Sequence, residues 1–263
     1  MKKRLLYLVL AVVVVITVSC SEYQKLLKSD NYELKYTKAV DYFGKGDYYR
    51  CMTLLDELSS VYRGRAEAED IHYMMAQCYF NNEEYNMAAY YFKTFSEVFP
   101  VSRKVEECDY MAAYCFYLLS PGPTLDQTFT LRGIQELQLF LNRYPQSERR
   151  DSVNILVDNL YLRLETKAYN NAKMYFDIGD FKAAITSLKN VLIDYPDTQF
   201  REQAMYYIVK SAYYLAENSV EEKKKQRYKD TVEYYQSFVD RYPESRYVKE
   251  VEKIYTQSLK LIN

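Results

Sequence analysis

From residue 31 onward, apolar residues recur every three or four positions in stretches separated by short polar turns. Ala183-Ala184-Ile185-Thr186-Ser187-Leu188-Lys189-Asn190-Val191-Leu192 is one such stretch, apolar at the spacing of a single helix face. A turn, Gly179-Asp180, and another helical stretch precede it, and the same order surrounds Gly46-Asp47. Each second helix then runs into one recurring phrase: Val98-Phe99-Pro100, Arg143-Tyr144-Pro145, Asp194-Tyr195-Pro196 and Arg241-Tyr242-Pro243, with Val61-Tyr62-Arg63 as a degenerate first copy. The aromatics at 62, 99, 144, 195 and 242 lie 37, 45, 51 and 47 residues apart. Periods of this size predict a helical solenoid. The proline closes the second helix because it lacks an N–H and clashes with the preceding turn.

Small residues fix the register. Counting back twelve positions from Pro196 reaches Ala184, and twelve more reaches Ala172; from Pro100 the same count gives Ala88 and Ala76, with Tyr85 and Tyr79 at aromatic places. The Gly46-Asp47-Tyr48 turn puts Cys51 and Ala39 at the corresponding sites of the first repeat. Helix, turn, helix and proline, with small residues where the paired helices approach, is the pattern of the tetratricopeptide repeat. It predicts an all-α chain, a solenoid of about five repeats over residues 31–263, wound as a right-handed superhelix. Two repeats exceed the period. From Pro145 the count meets Gly133 and then Ala113, which implies about eight extra residues in the turn-rich segment Ser120 to Gln127. The last repeat carries Ser219 to Arg227, whose lysine run reads as a solvated loop or helix extension.

The N-terminus has a different pattern. Met1-Lys2-Lys3-Arg4 is followed by an apolar run from Leu5 to Val18, too short to span a bilayer, and Ser19 stands before Cys20. This predicts a signal peptide over 1–19, a lipidated Cys20, and a linker over 20–30, so that lipid rather than a spanning helix holds the chain at the membrane. Thr17 occupies a place where leucine is usual in such signals. Removing 1–19 takes away three of the 35 Lys+Arg and none of the 36 Asp+Glu, leaving a net charge of −4 and no reason to expect nucleic acid. There are 31 tyrosines and no tryptophan, which weighs against a sugar-stacking platform. Cys51, Cys78, Cys108 and Cys115 permit three disulfide pairings, but their apolar helical contexts favour buried thiols.

Catalytic signatures are missing from the sequence. His72 is the single histidine, and the chain has no GxSxG, HExxH or glycine-rich phosphate loop and no metal-ligand spacing, so no catalytic residue, metal or cofactor is expected. Binding is the expected work of stacked repeats, which present a concave surface built from the first helix of each pair. On the register above, Tyr36, Val40, Phe43, Tyr73, Gln77, Phe80 and Asn81 take groove-facing places. Tyr36 and Val40 stand where repeat proteins that clamp a C-terminal carboxylate carry Lys and Asn, so that clamp is lacking. An aromatic groove with amides suits extended, aromatic-rich segments such as outer-membrane barrel strands; some of these rings are expected to be packing between repeats.

With the lipoprotein signal, the five repeats and their insertions together, the chain resembles the BamD family of outer-membrane assembly lipoproteins. The most specific stretches are Leu125 to Thr128 leading into Leu139 to Ser147, and Tyr175 to Ile185 continuing through Asp194 to Thr198. The resemblance implies a rod anchored to the periplasmic face of the outer membrane, binding a barrel-forming assembly subunit and receiving unfolded outer-membrane proteins. It also implies a partner contact on the C-terminal repeats, where Arg201 is the candidate cation. The alternatives are an adaptor for peptidoglycan enzymes and a glycan-binding lipoprotein.

Overall fold

A computed structural model describes residues 22–262; the signal peptide and Cys20 lie outside them. The fold is all-α. Its helices are α1 (Tyr32–Gly44), α2 (Tyr48–Val61), α3 (Glu67–Asn81), α4 (Tyr85–Val98), α5 (Val105–Leu119), α6 (Thr128–Arg143), α7 (Arg150–Asp177), α8 (Phe181–Asp194), α9 (Arg201–Glu217), α10 (Glu221–Arg241) and α11 (Val248–Ile262). α1 to α10 form five successive pairs, and α11 follows the last. Two compact units result: one built from residues up to 120 together with 131–154, the other from 121–130 together with residues from 155 onward.

In the first unit each of α1 to α5 packs on its neighbour in sequence, and in the second α8 to α11 do the same, with α9 also reaching α11. Such nearest-neighbour packing defines a repeat array. The register holds: Ala39, Cys51, Ala76, Ala88, Ala113, Ala172 and Ala184 are all at most 2% exposed. Around the small residues of the first unit, Leu54, Leu58 and Ile71 fill one cluster, and Phe92 and Phe95 a second.

The turns inside the pairs explain themselves chemically. Gly46 and Gly179 have φ of +74° and +84°, the left-handed conformation that lets backbone N–H groups fold back onto the ending helix. Asp47 and Asp180 then cap the next helix, accepting from Arg50 N at 3.2 Å and Ala183 N at 3.0 Å. The second pair makes the same turn, with N–H donation from Glu83 to Phe80 O and from Glu84 to Tyr79 O, yet Glu83 occupies the left-handed position at φ +62°.

Between pairs a second device repeats. Ser102, Ser147, Thr198 and Ser245, each two residues after the phrase's proline, donate N–H to the carbonyl of Phe99, Tyr144, Tyr195 and Tyr242 respectively. Their hydroxyls accept from the N–H two residues on, at 3.0–3.2 Å. This side-chain turn starts the next helix.

One feature differs from the sequence expectation. Residues 22–27, expected as linker, form a short helix, and Tyr23 and Leu26 are buried in the first cluster. Lys35, only 1% exposed, ties this helix down through Leu27 O at 3.0 Å and Glu57 at 2.6 Å. The long spacing between the third and fourth phrases comes from α7, which runs 28 residues without Gly or Pro. Of the two readings of the lysine run, loop or helix extension, the structure has the helix: α10 begins at Glu221, and Lys224 pairs with that residue at 2.6 Å. Ser120 to Gln127 is the expected connecting segment, between α5 and α6.

Candidate binding face

A tyrosine recurs at one place in the first helix of every pair: Tyr36, Tyr73, Tyr110, Tyr169 and Tyr206, spaced 37, 37, 59 and 37 residues. Four residues later stand Val40, Gln77, Tyr114, Lys173 and Lys210, and seven later Phe43, Phe80, Tyr117, Phe176 and Tyr213. Positions i, i+4 and i+7 share one helix face, so each pair offers a three-residue row. The spacing was readable in the sequence, but proline-based counting did not find it, because the long α7 shifts the fourth copy.

Each tyrosine is held by an aromatic or cation contributed by the chain before or at the start of the next first helix. Tyr36 meets Tyr62 at 5.9 Å between ring centroids. Lys104 stands 4.7 Å over Tyr73, and Arg149 stands 5.2 Å over Tyr110. In the second unit Phe200 stacks on Tyr169 at 4.6 Å and Tyr247 on Tyr206 at 4.1 Å. Lys104, Arg149, Phe200 and Tyr247 each follow the turn hydroxyl by two positions, so the turn geometry sets the ring geometry.

Two of the rows carry the same polar triad. In the first unit Tyr73 Oη donates to Glu107 at 2.8 Å and accepts from Gln77 Nε2 at 3.0 Å. In the second, Tyr206 Oη donates to Glu250 at 2.8 Å, accepts from Lys210 Nζ at 3.1 Å, and Lys210 also pairs with Glu250 at 2.9 Å. Burial, followed by the Glu107 bond, pushes the Tyr73 hydroxyl up to about 12. Burial pushes Tyr206 to about 12 as well. Lys210 holds the Glu250 carboxyl below its usual range. Burial works to lower Lys210, but its bonds to Glu250 and Tyr206 prevail and raise it. The same helical place therefore differs between the units, with the Gln77 amide in the first and Lys173 and Lys210 in the second.

Five of the six groove candidates from sequence, Tyr36, Phe43, Tyr73, Gln77 and Phe80, fall in these rows and Asn81 stands beside them, but none of the rings is free-standing. Tyr36 and Phe43 pack against the first cluster, Tyr73 and Phe80 against the second. Phe80 touches Tyr85, Phe92 and Tyr114 at 5.6–6.5 Å. Asn81 Nδ2 donates to Gln77 O at 2.8 Å and is exposed, as is Val40. Arg201 is engaged within the chain: its guanidinium donates to Leu192 O at 3.3 Å and to Pro196 O, closing the end of α8.

On the opposite side, the second helices enclose two clefts. One of about 400 Å³ lies between α4 and α6 over α5 in the first unit; the other, about 160 Å³, lies between α8 and α10 in the second. Lys93, Asp109, Glu136 and Arg143, four of the charged residues lining the larger cleft, are already paired. Glu136, 6% exposed, receives Lys93 at 2.5 Å and Arg132 at 2.6 Å, and Asp109 receives Arg143 at 2.6 Å and Tyr144 Oη at 2.8 Å. His72 is half-buried edge-on to Phe99 at 5.4 Å, and burial lowers its pKa. Among the described residues no group of three His, Cys, Asp or Glu gathers as metal ligands, and no helix is long and apolar enough to cross a membrane.

The family model described as YfiO, outer membrane lipoprotein, matches residues 29–228, from before α1 into α10. A comparison with curated proteins finds no match. Among solved structures the chain is similar to the P58(IPK) TPR domain, at 13% identity and a TM-score of 0.42, covering 91% of this chain and 67% of that one.

Proposed function

Because the chain belongs to the YfiO family of outer membrane lipoproteins, we propose that it is a lipid-anchored scaffold of outer-membrane protein assembly. In this reading it binds a barrel-forming assembly subunit and helps receive unfolded outer-membrane proteins from the periplasmic side. Cys20 carries the lipid. It lies three positions before Tyr23, whose ring is buried in the first cluster, so at roughly 3.5 Å per residue that cluster stays within about 10 Å of the anchor. The observation that supports the reading best is the first-helix tyrosine repeated in every pair and backed by an aromatic ring or a cation, a face within each unit for extended aromatic-rich chain rather than a reaction site. The described titratable groups named above are engaged in structural pairs, which favours scaffolding over catalysis.

Affinity purification from detergent-solubilised outer membrane tests this. The expected result is recovery of a large barrel protein bearing periplasmic repeat domains. Recovery of peptidoglycan enzymes without such a protein would transfer the chain to the adaptor class. Cys20→Ala is expected to release the protein from membranes after a salt wash, since acyl chains supply the hold. A variant that stays bound would refute the lipid anchor.

A further inference from the structure

The short helix over residues 22–27 is pinned to the first pair at both ends, and this fixes its direction. At one end Leu27 O accepts from Lys35 in the first turn of α1, and Lys35 also pairs with Glu57 in the second half of α2. At the other end the Tyr23 ring meets Tyr42, in the last turn of α1, edge-on at 5.8 Å between centroids. The guanidinium of Arg50, in the first turn of α2, stands 5.3 Å over Tyr23 and 5.7 Å over Tyr42. Tyr23, three positions after Cys20, therefore sits at the α1–α2 turn rather than at the opposite end of the pair. Of the rings flanking that turn, Phe43 and Tyr48 pack on each other at 6.0 Å and against the first cluster. Tyr49, next to Arg50, is instead 75% exposed. The charges around it are matched, Lys45 with Asp41 at 2.7 Å and Arg50 with Asp47 at 3.1 Å.

We propose that the α1–α2 turn docks on the lipid surface, with the Tyr49 ring in the headgroup region. The inference rests on the lipid anchor at Cys20 of the proposed function. A single exposed tyrosine is ordinary on a protein surface, but this one stands beside the tether. Acyl chains on Cys20 keep Tyr23 within about 10 Å of the anchor, so the turn is held at the membrane and contact needs no separate encounter. Under that constraint even a weak preference is satisfied. Tyrosine has such a preference, because its ring is apolar and its hydroxyl polar. The paired charges leave the turn neutral, so the contact is aromatic and differs from a polybasic patch that seeks anionic lipid. The matching turn of the second pair carries Glu83 and Glu84, which a lipid surface does not attract, so the contact ends with the first pair. That pair then stands with its turn on the membrane and its Tyr62 end pointing away.

The chain contains no tryptophan, so Tyr49→Trp places a single fluorophore at the site. Tyr90→Trp, at an exposed ring in the middle of α4, is the control. Each variant, purified as the lipidated chain, is reconstituted into phosphatidylcholine vesicles with bromine on the acyl chains, floated to score anchorage, and read for emission. Tyr49→Trp should float, shift its emission to the blue and lose most of it to the bromine. Tyr90→Trp should float with neither change. Raising the salt, or replacing part of the lipid with phosphatidylglycerol, should leave the quenching as it was; quenching that disappears in salt overturns the aromatic contact. A floating Tyr49→Trp that stays unquenched overturns the docking and leaves the anchor standing. Equal quenching of the two variants also overturns it, because the turn is then not the contact. Protein that fails to float overturns the anchor, and the docking with it.

Discussion

The second repeat makes its internal turn with the wrong residues, and that gives a quantitative test of how sequence sets this fold. Gly46-Asp47 and Gly179-Asp180 are replaced there by Glu83-Glu84, yet the backbone is the same, with Glu83 at φ +62°. An L-residue in this conformation costs about 1–2 kcal/mol, while glycine gives back up to about 1 kcal/mol through the freer unfolded chain. Glu83→Gly should thus stabilise by up to about 1 kcal/mol. Glu84 makes no side-chain cap on α4, whereas Asp47 and Asp180 cap their helices. Glu84→Asp should contribute about 1 kcal/mol more. The double variant should gain about 1–2 kcal/mol, read as a rise in urea midpoint at unchanged slope.

The reciprocal change isolates the cause. A Cβ at Gly46 meets nothing within 4 Å, so Gly46→Ala carries no clash and should cost about 1 kcal/mol, from conformation alone. Gly122 has neither a left-handed φ nor a neighbour near its missing Cβ, and Gly122→Ala should leave the midpoint within about 0.5 kcal/mol. If Glu83→Gly/Glu84→Asp is neutral or destabilising while Gly46→Ala costs the expected amount, the two turns are not equivalent and the argument fails.

Tyr73→Phe keeps the ring under Lys104 but removes the hydroxyl between Gln77 and Glu107; it should cost about 1–2 kcal/mol in urea unfolding, and a loss below 0.3 kcal/mol would mean the triad is ornamental. Stability should fall as pH rises from 10 through 12, because Tyr73, Tyr91, Tyr144 and Tyr206 are raised to about 12 when folded and the unfolded chain releases these protons first. A melting midpoint flat across that range would contradict it. Arg201→Glu should lower thermal stability by about 1 kcal/mol, since it replaces a donor to Leu192 O and Pro196 O at a helix C-terminus with an acceptor; full stability with lost partner recovery would instead mark Arg201 as a contact residue.

The parts of this molecule that were legible in the sequence are those enforced by steric exclusion. Proline cannot continue a helix, and only small residues fit where paired helices touch, so Pro100, Pro145, Pro196, Ala76, Ala88 and Ala184 stood out without a structure. The features that escaped are those in which different residues do one job. Glu83 takes a glycine's conformation, and Lys104, Arg149, Phe200 and Tyr247 all cover a tyrosine ring although two are cations and two are aromatic. A ring face attracts both classes, so identity does not repeat although geometry does. The helix over 22–27 was missed for a related reason: its anchors are two single residues, Tyr23 and Leu26, too few to show a period. The same logic bears on the groove. Because each first-helix tyrosine is clamped by the turn before the next repeat, the rings of each unit are held in a preset row, and under the proposed function a bound segment would cost the protein little further freedom. The position four residues on is where the units differ chemically, valine, glutamine and tyrosine in the first against lysine in the second, so under the proposed function the two units would favour different segments.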